Sequence, residues 1–168
     1  MLKLENVSNL YAPSQGLFNT SISFKKGEIT CILGRNGSGK STLLKSILNL
    51  IPIDSGIITY DDLPIEEQLE KIAYITEEGS YFPYMSAKAY GKFLSSYCPS
   101  FSNSQYMQLL ERFEVPINNA IRNLSKGQQL KVEISAGFAM NAKLILLDEH
   151  FTTLDLTDNE YTIKLLIK

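Results

Sequence analysis

The eight residues Gly34-Arg35-Asn36-Gly37-Ser38-Gly39-Lys40-Ser41 carry the complete spacing G-x-x-x-x-G-K-S. A loop of this kind lets successive backbone N–H groups curl around phosphate oxygens and aims a helix N-terminus at their negative charge. Gly34, Asn36, Gly37, Ser38 and Gly39 form the expected cradle. Lys40 should reach the β- and γ-phosphates of a nucleoside triphosphate, Ser41 offers a hydroxyl to Mg²⁺, and Thr42 can bond an α-phosphate oxygen from the first helical turn. A second reactive pair, Asp148-Glu149, directly follows the apolar run Leu144-Ile145-Leu146-Leu147. In a parallel sheet this puts one carboxylate at the end of a buried strand and the other just past it, near the phosphate loop. Asp148 is expected to hold Mg²⁺ through water, and Glu149 to polarise the water attacking the γ-phosphate in line.

These groups need elements to hold them. Ile29-Thr30-Cys31-Ile32-Leu33 is apolar and rich in β-formers, as a buried parallel strand should be, and it runs straight into the glycine loop. From Lys40 the apolar positions Leu43, Leu44, Ile47 and Leu48 have helical spacing, and Pro52 marks an end. Upstream, Met1 to Val7 and Ile22 to Phe24 alternate apolar with polar residues, which predicts two strands of a partly exposed sheet. Asp54-Ser55-Gly56 is turn chemistry, and Ile57 to Tyr60 and Ile72 to Thr76 read as strands. Between Ser86 and Asn123 the character becomes helical. Ser86 can cap a helix that runs to Tyr97 and is broken by Pro99, while Tyr106, Leu109, Leu110 and Phe113 form an apolar stripe on a second helix. Ser125 opens a long helical segment to about Asn141 before the strand that carries Asp148.

The 168 residues, 44% hydrophobic and 20% charged, suffice for one domain with a real core. A formal net charge of -2 and a pI near 5.5 give no global basic field of the kind that holds nucleic acid. Cys31 and Cys98 have no metal-ligand spacing, and no secretory leader precedes them, which fits a reduced, cytosolic protein. The apolar runs fall far short of the roughly 20 residues of a membrane span, so any membrane role is expected through a partner, without direct insertion.

The order phosphate loop, Leu124-Ser125-Lys126-Gly127-Gln128-Gln129, then Asp148-Glu149 resembles that of the ATP-binding cassette (ABC) ATPases, whose signature motif the middle segment is similar to. The resemblance runs from about Leu2 to Asp155. It implies an α/β fold: a P-loop NTPase core of RecA type with a parallel sheet, an N-terminal antiparallel β part and an inserted α-helical subdomain. The single domain would comprise a core of residues 1–77 and 142–168 and a helical subdomain of residues 78–141. Ser125, Gly127 and Gln128, at a helix N-terminus, would bind the γ-phosphate of ATP presented by a second copy of the domain. Tyr11 stands where the family stacks an aromatic on adenine. Glu77 occupies the position of a glutamine that touches Mg²⁺ and senses the membrane partner, and its carboxylate adds negative charge beside the phosphates.

The resemblance also implies a function: an ATPase subunit of a transporter, bound to the inner face of the cell membrane through a membrane-spanning subunit and dimerising around two Mg-ATP. Lys126 and the tyrosine-rich region after Glu77 resemble exporter subunits. The cluster Tyr81-Phe82-Pro83-Tyr84-Met85 lies where family members dock the membrane subunit, although packing between core and helical parts would use the same residues. His150 and Phe151 stand where Pro and Thr are usual, before Thr153-Leu154-Asp155, which resembles a loop that contacts the other subunit. The family's switch histidine lies beyond Lys168, so the expectation is a chain lacking the usual C-terminal end, with Leu165, Leu166 and Ile167 short of partners. Two readings stay open, a transport motor and a catalytically idle nucleotide-binding protein. A chromosome-organising ATPase of the same superfamily is disfavoured, because the interval from Lys40 to Ser125 leaves no room for a long coiled coil.

Overall fold

Alternation at the N-terminus yields a longer hairpin than its apolar residues alone outline. In the computed structural model, which describes residues 1–12, 15–35, 37–76 and 82–148, β1 (Leu2–Ala12) pairs antiparallel with β2 (Gln15–Phe24). On its other side β1 pairs antiparallel with β3 (Ser55–Tyr60), which continues into the short β4 (Leu63–Pro64), giving the order β2-β1-β3-β4. Leu4 faces Ile22 on one neighbour and Ile58 on the other. Leu2, Leu4 and Val7 are all buried although Val7 breaks strict alternation. The register shift between Leu4 and Val7, with Asn6 at φ 50°, absorbs the extra residue and returns Val7 to the buried face.

Helix α1 (Lys40–Ile47) buries Leu43, Leu44 and Ile47. It stops well before Pro52, because Asn49 adopts a left-handed conformation at φ 52°. Asn9 then ties the exit of this helix to β1, its side-chain amide donating to the Pro52 carbonyl at 2.6 Å. These elements belong to one compact unit, Met1–Glu70.

One expectation fails here. Ile29 to Leu33, expected as a buried parallel strand, is not a strand, and Ile29 and Leu33 are 57% and 88% exposed. A strand exists only where a neighbour accepts and donates its backbone hydrogen bonds. Among the described residues no strand pairs with this segment. Its apolar β-formers record a preference for burial, not the ladder that would fulfil it.

A second unit begins at Lys71. Its two strands, β5 (Ile72–Thr76) and β6 (Leu144–Asp148), run parallel with Ile72 opposite Leu144 and Thr76 opposite Asp148. Among its described residues it also holds three α-helices: α2 (Ala87–Tyr97), α3 (Asn103–Arg112) and α4 (Lys126–Ala139). Each opens on a serine. Ser86, Ser102 and Ser125 accept hydrogen bonds from the backbone N–H groups of Ala89, Gln105 and Gln128, as expected for Ser86 and Ser125. Tyr106, Leu109, Leu110 and Phe113 enter a core shared with Val132, Ile134, Ala136 and Ile121. Fully burying side chains of this size stabilises by roughly 1.5–3 kcal/mol each. The Tyr106 hydroxyl donates to the Ala87 carbonyl at 3.0 Å, and burial, aided by Tyr90 and Glu133, holds it protonated far above the ordinary tyrosine range. Ile75, Ile145 and Leu147 pack into this core, where a β-carbon on Gly137 of α4 would lie 2.5 Å from the Ile75 side chain. Gly137 therefore lets α4 approach the strand pair closely, and the opposite face of that pair carries Tyr74, Thr76, Leu146 and Asp148.

Candidate functional site

In the first unit the glycine loop closes on itself before α1 begins. The Ser38 N–H donates to the Arg35 carbonyl at 3.1 Å, and the Lys40 ammonium donates to the Gly34 and Arg35 carbonyls at 2.9 and 3.2 Å. Gly39 is the residue from which the helix starts, left-handed at φ 93°, with a carbonyl that accepts from the Leu43 N–H at 2.8 Å. Among the described residues no side chain caps this helix, and its first turn holds no acidic residue. The positive end of the helix dipole at such a start suits an external anion. Ser41 and Thr42 sit half-buried in the same turn. A β-carbon on Gly39 would lie 3.1 Å from the Gly16 carbonyl, so the helix start is packed against the β1–β2 hairpin. That hairpin also carries Tyr11, which is 61% exposed. A cradle that no side-chain cap fills, a nearby lysine and an exposed aromatic fit a nucleoside triphosphate.

In the second unit Asp148 ends β6 and accepts a 2.9 Å hydrogen bond from the Tyr74 hydroxyl. The sequence did not mark Tyr74, because only the register of β5 on β6 brings it to the carboxylate. The Ser41 hydroxyl in the first unit and the Asp148 carboxylate in the second are each a hard oxygen donor of the kind Mg²⁺ takes. Among the described residues no group of three or more His, Cys, Asp or Glu could hold a metal ion. Asn36, Glu77, Glu149, His150 and Phe151, the loop at Thr153-Leu154-Asp155 and the tail to Lys168 lie outside the described residues.

Ser125 and Lys126 are exposed at the start of α4, with Gly127 and Gln128 half-buried behind them. Ser125 and Gln128 form a reciprocal capping box: the Ser125 hydroxyl oxygen accepts from the Gln128 N–H at 3.2 Å, and the Gln128 side chain accepts from the Ser125 N–H at 3.1 Å. Capping uses the serine as an acceptor and leaves its O–H as a donor, so helix capping and phosphate binding are compatible.

The aromatic segment divides. Tyr81 lies outside the described residues, and Met85 packs partly into the core. Phe82 and Tyr84 are exposed, Tyr84 by 76%. Phe82 meets Phe93 at 4.8 Å between ring centroids, Phe93 meets Tyr97 at 4.7 Å, and the Arg122 guanidinium sits 4.7 Å over the Tyr84 ring. Among the described residues no helix is long and apolar enough to cross a membrane.

The model of the ABC transporter family matches residues 17–152. The chain belongs to that family. It is 31% identical to the ABC transporter ATP-binding protein YtrB of Bacillus subtilis (strain 168), over 99% of this chain and 58% of that protein. It is 32% identical to the Fe(3+) ions import ATP-binding protein FbpC of Haemophilus influenzae (strain 86-028NP), over 92% of this chain and 48% of that one. The chain thus spans about half to three-fifths of the length of these two relatives. Among solved structures, the ATP-binding cassette MJ0796, a dimer in a post-hydrolysis state bound to ADP and Pi, superposes with a TM-score of 0.83. That match has 26% identity and covers 99% of this chain and 81% of that one.

Proposed function

We propose that this chain is the ATP-binding and ATP-hydrolysing subunit of a transporter, which dimerises around two Mg-ATP and drives a membrane-spanning partner. The observation that carries the reading is the glycine loop opening α1 with no side-chain cap and with Lys40 folded over it. Gly34, Asn36, Gly37, Ser38 and Gly39 wrap the phosphates, Lys40 supplies charge to the β- and γ-phosphates, and Thr42 bonds the α-phosphate. Ser41, Asp148 and Glu77 would hold Mg²⁺, whose chemistry when bound is to neutralise charge between the β- and γ-phosphates. Tyr11 stacks on adenine, and Glu149 polarises the attacking water. Ser125, Gly127 and Gln128 of a second copy complete each site from across the dimer. The dimeric cassette bound to ADP and Pi supports this arrangement by likeness.

The core comprises residues 1–77 and 142–168, and the helical part residues 78–141. Exposed Phe82 and Tyr84 favour docking of the membrane subunit over burial between the two parts. The chain then sits in the cytoplasm on the inner face of the membrane. Transport runs outward, a reading supported by Lys126 and the tyrosine-rich region after Glu77; the import role named for FbpC belongs to that protein. A second reading, an idle nucleotide-binding protein, is favoured by Glu77 in place of glutamine. Mg-ATP hydrolysis measured against protein concentration separates them. Turnover per molecule that rises with concentration supports the motor; tight binding without turnover supports the idle reading; no binding sinks both.

A further inference from the structure

On the strand pair β5 and β6, Tyr74 lies opposite Leu146 and Thr76 lies opposite Asp148. Residues two apart share a face of a strand and are separated by roughly 6.6 Å along it. A tyrosine side chain spans about that distance, so the Tyr74 hydroxyl reaches one pair further on, to the Asp148 Oδ2 at 2.9 Å. The other face of the pair is committed to packing, with Ile75 against Gly137 and with Ile145 and Leu147 in the helical core. Tyr74 could have been an apolar residue if packing were all this face required. Instead it places a hydroxyl donor on a carboxylate at the end of a strand.

From this geometry we infer that Tyr74 is a positioning residue for the metal site: its hydroxyl holds the Asp148 carboxylate in the orientation in which it meets Mg²⁺. The inference rests on the reading that Asp148 holds the metal. A carboxylate at a strand terminus has two side-chain torsions to settle, and a donor on one oxygen settles both before the ion arrives. Hydrogen bonds from such outer partners orient a ligand, and their loss typically weakens metal affinity about 10- to 100-fold. Tyr74 carries no charge, so it orients Asp148 without competing with the cation as a lysine would.

The test compares the parent chain with Tyr74→Phe and Asp148→Asn. Mn²⁺ affinity is read by electron paramagnetic resonance in the presence of a non-hydrolysable ATP analogue, and analogue affinity is read again in EDTA. Tyr74→Phe should weaken Mn²⁺ about tenfold while leaving analogue affinity in EDTA unchanged. The ratio of affinities with and without metal is taken within each variant, so a general loss of stability does not move it. If Asp148→Asn abolishes the metal effect and Tyr74→Phe stays within about twofold of the parent, the positioning role is overturned. If Asp148→Asn itself keeps the full metal effect, Asp148 is not the metal ligand and the inference falls with that assignment.

Discussion

Gly39 and the Gly16 carbonyl are packed so closely that a β-carbon on Gly39 would stand 3.1 Å from that oxygen. Gly39 is also left-handed at φ 93°. Gly39→Ala therefore meets two costs, a backbone penalty of about 1–2 kcal/mol and displacement of the hairpin that carries Tyr11. The expected outcome is a lower melting temperature with nucleotide affinity reduced more than tenfold, measured by thermal unfolding and by titration with a fluorescent ATP analogue.

Lys40→Ala separates affinity from stability. The ammonium makes two backbone hydrogen bonds in its own loop, worth about 1 kcal/mol of folding stability at most on a partly exposed side chain. Against phosphate its charge-assisted bonds are worth about 3 kcal/mol, so affinity should fall about a hundredfold or more while the melting temperature barely moves.

Ser125 has a capping role that can be held while its proposed phosphate role is removed. Ser125→Ala should cost about 1 kcal/mol of stability through the lost cap. Ser125→Asp keeps a cap acceptor and places a negative charge at the N-terminal end of α4, so stability should return. Its carboxylate would repel a γ-phosphate from a second copy, so turnover should be lost although stability is kept. Recovery of turnover in Ser125→Asp would count against a phosphate contact.

Glu149→Gln removes the proposed base and leaves the shape of the side chain. Nucleotide binding should persist and hydrolysis should fall by at least about a hundredfold. Size-exclusion chromatography in Mg-ATP should show a trapped dimer. Hydrolysis at the parent rate would remove Glu149 from the mechanism.

Asp61 gathers the Met1 ammonium and, at 2.7 Å, Lys26, and Lys26 chiefly holds its carboxyl below the ordinary carboxylate range. A carboxyl lowered in the folded state adds stability that is present above its unfolded pKa, about 3.9, and is lost as pH falls through the folded value. Asp61→Asn should therefore flatten the acid limb of stability below about pH 4 and leave its slope near neutrality unchanged. Acid titration of circular dichroism for both chains checks this.

Local chemistry made much of the fold legible. Ser86 and Ser125, read as helix starts, are N-caps, because a cap depends on a hydroxyl and the three residues after it, and Ser102, which the sequence reading did not single out, caps α3 in the same way. The stripe Tyr106, Leu109, Leu110 and Phe113 is buried as its spacing implies, since helical periodicity is set within one element. Ile29 to Leu33 went the other way: a strand needs a neighbour, and apolarity does not name one.

The amino-acid sequence by itself determined the glycine loop, the carboxylate ending an apolar strand and the capped helix at Ser125, because each motif is a short-range requirement of backbone and side-chain chemistry. Tertiary structure decided what lies far apart along the chain. The Asn9 amide found the Pro52 carbonyl, the hairpin at Gly16 found Gly39, and the parallel register brought the Tyr74 hydroxyl to Asp148. Strand register and helix approach are fixed by packing of whole faces, such as Ile75 against Gly137, and no local pattern encodes that choice.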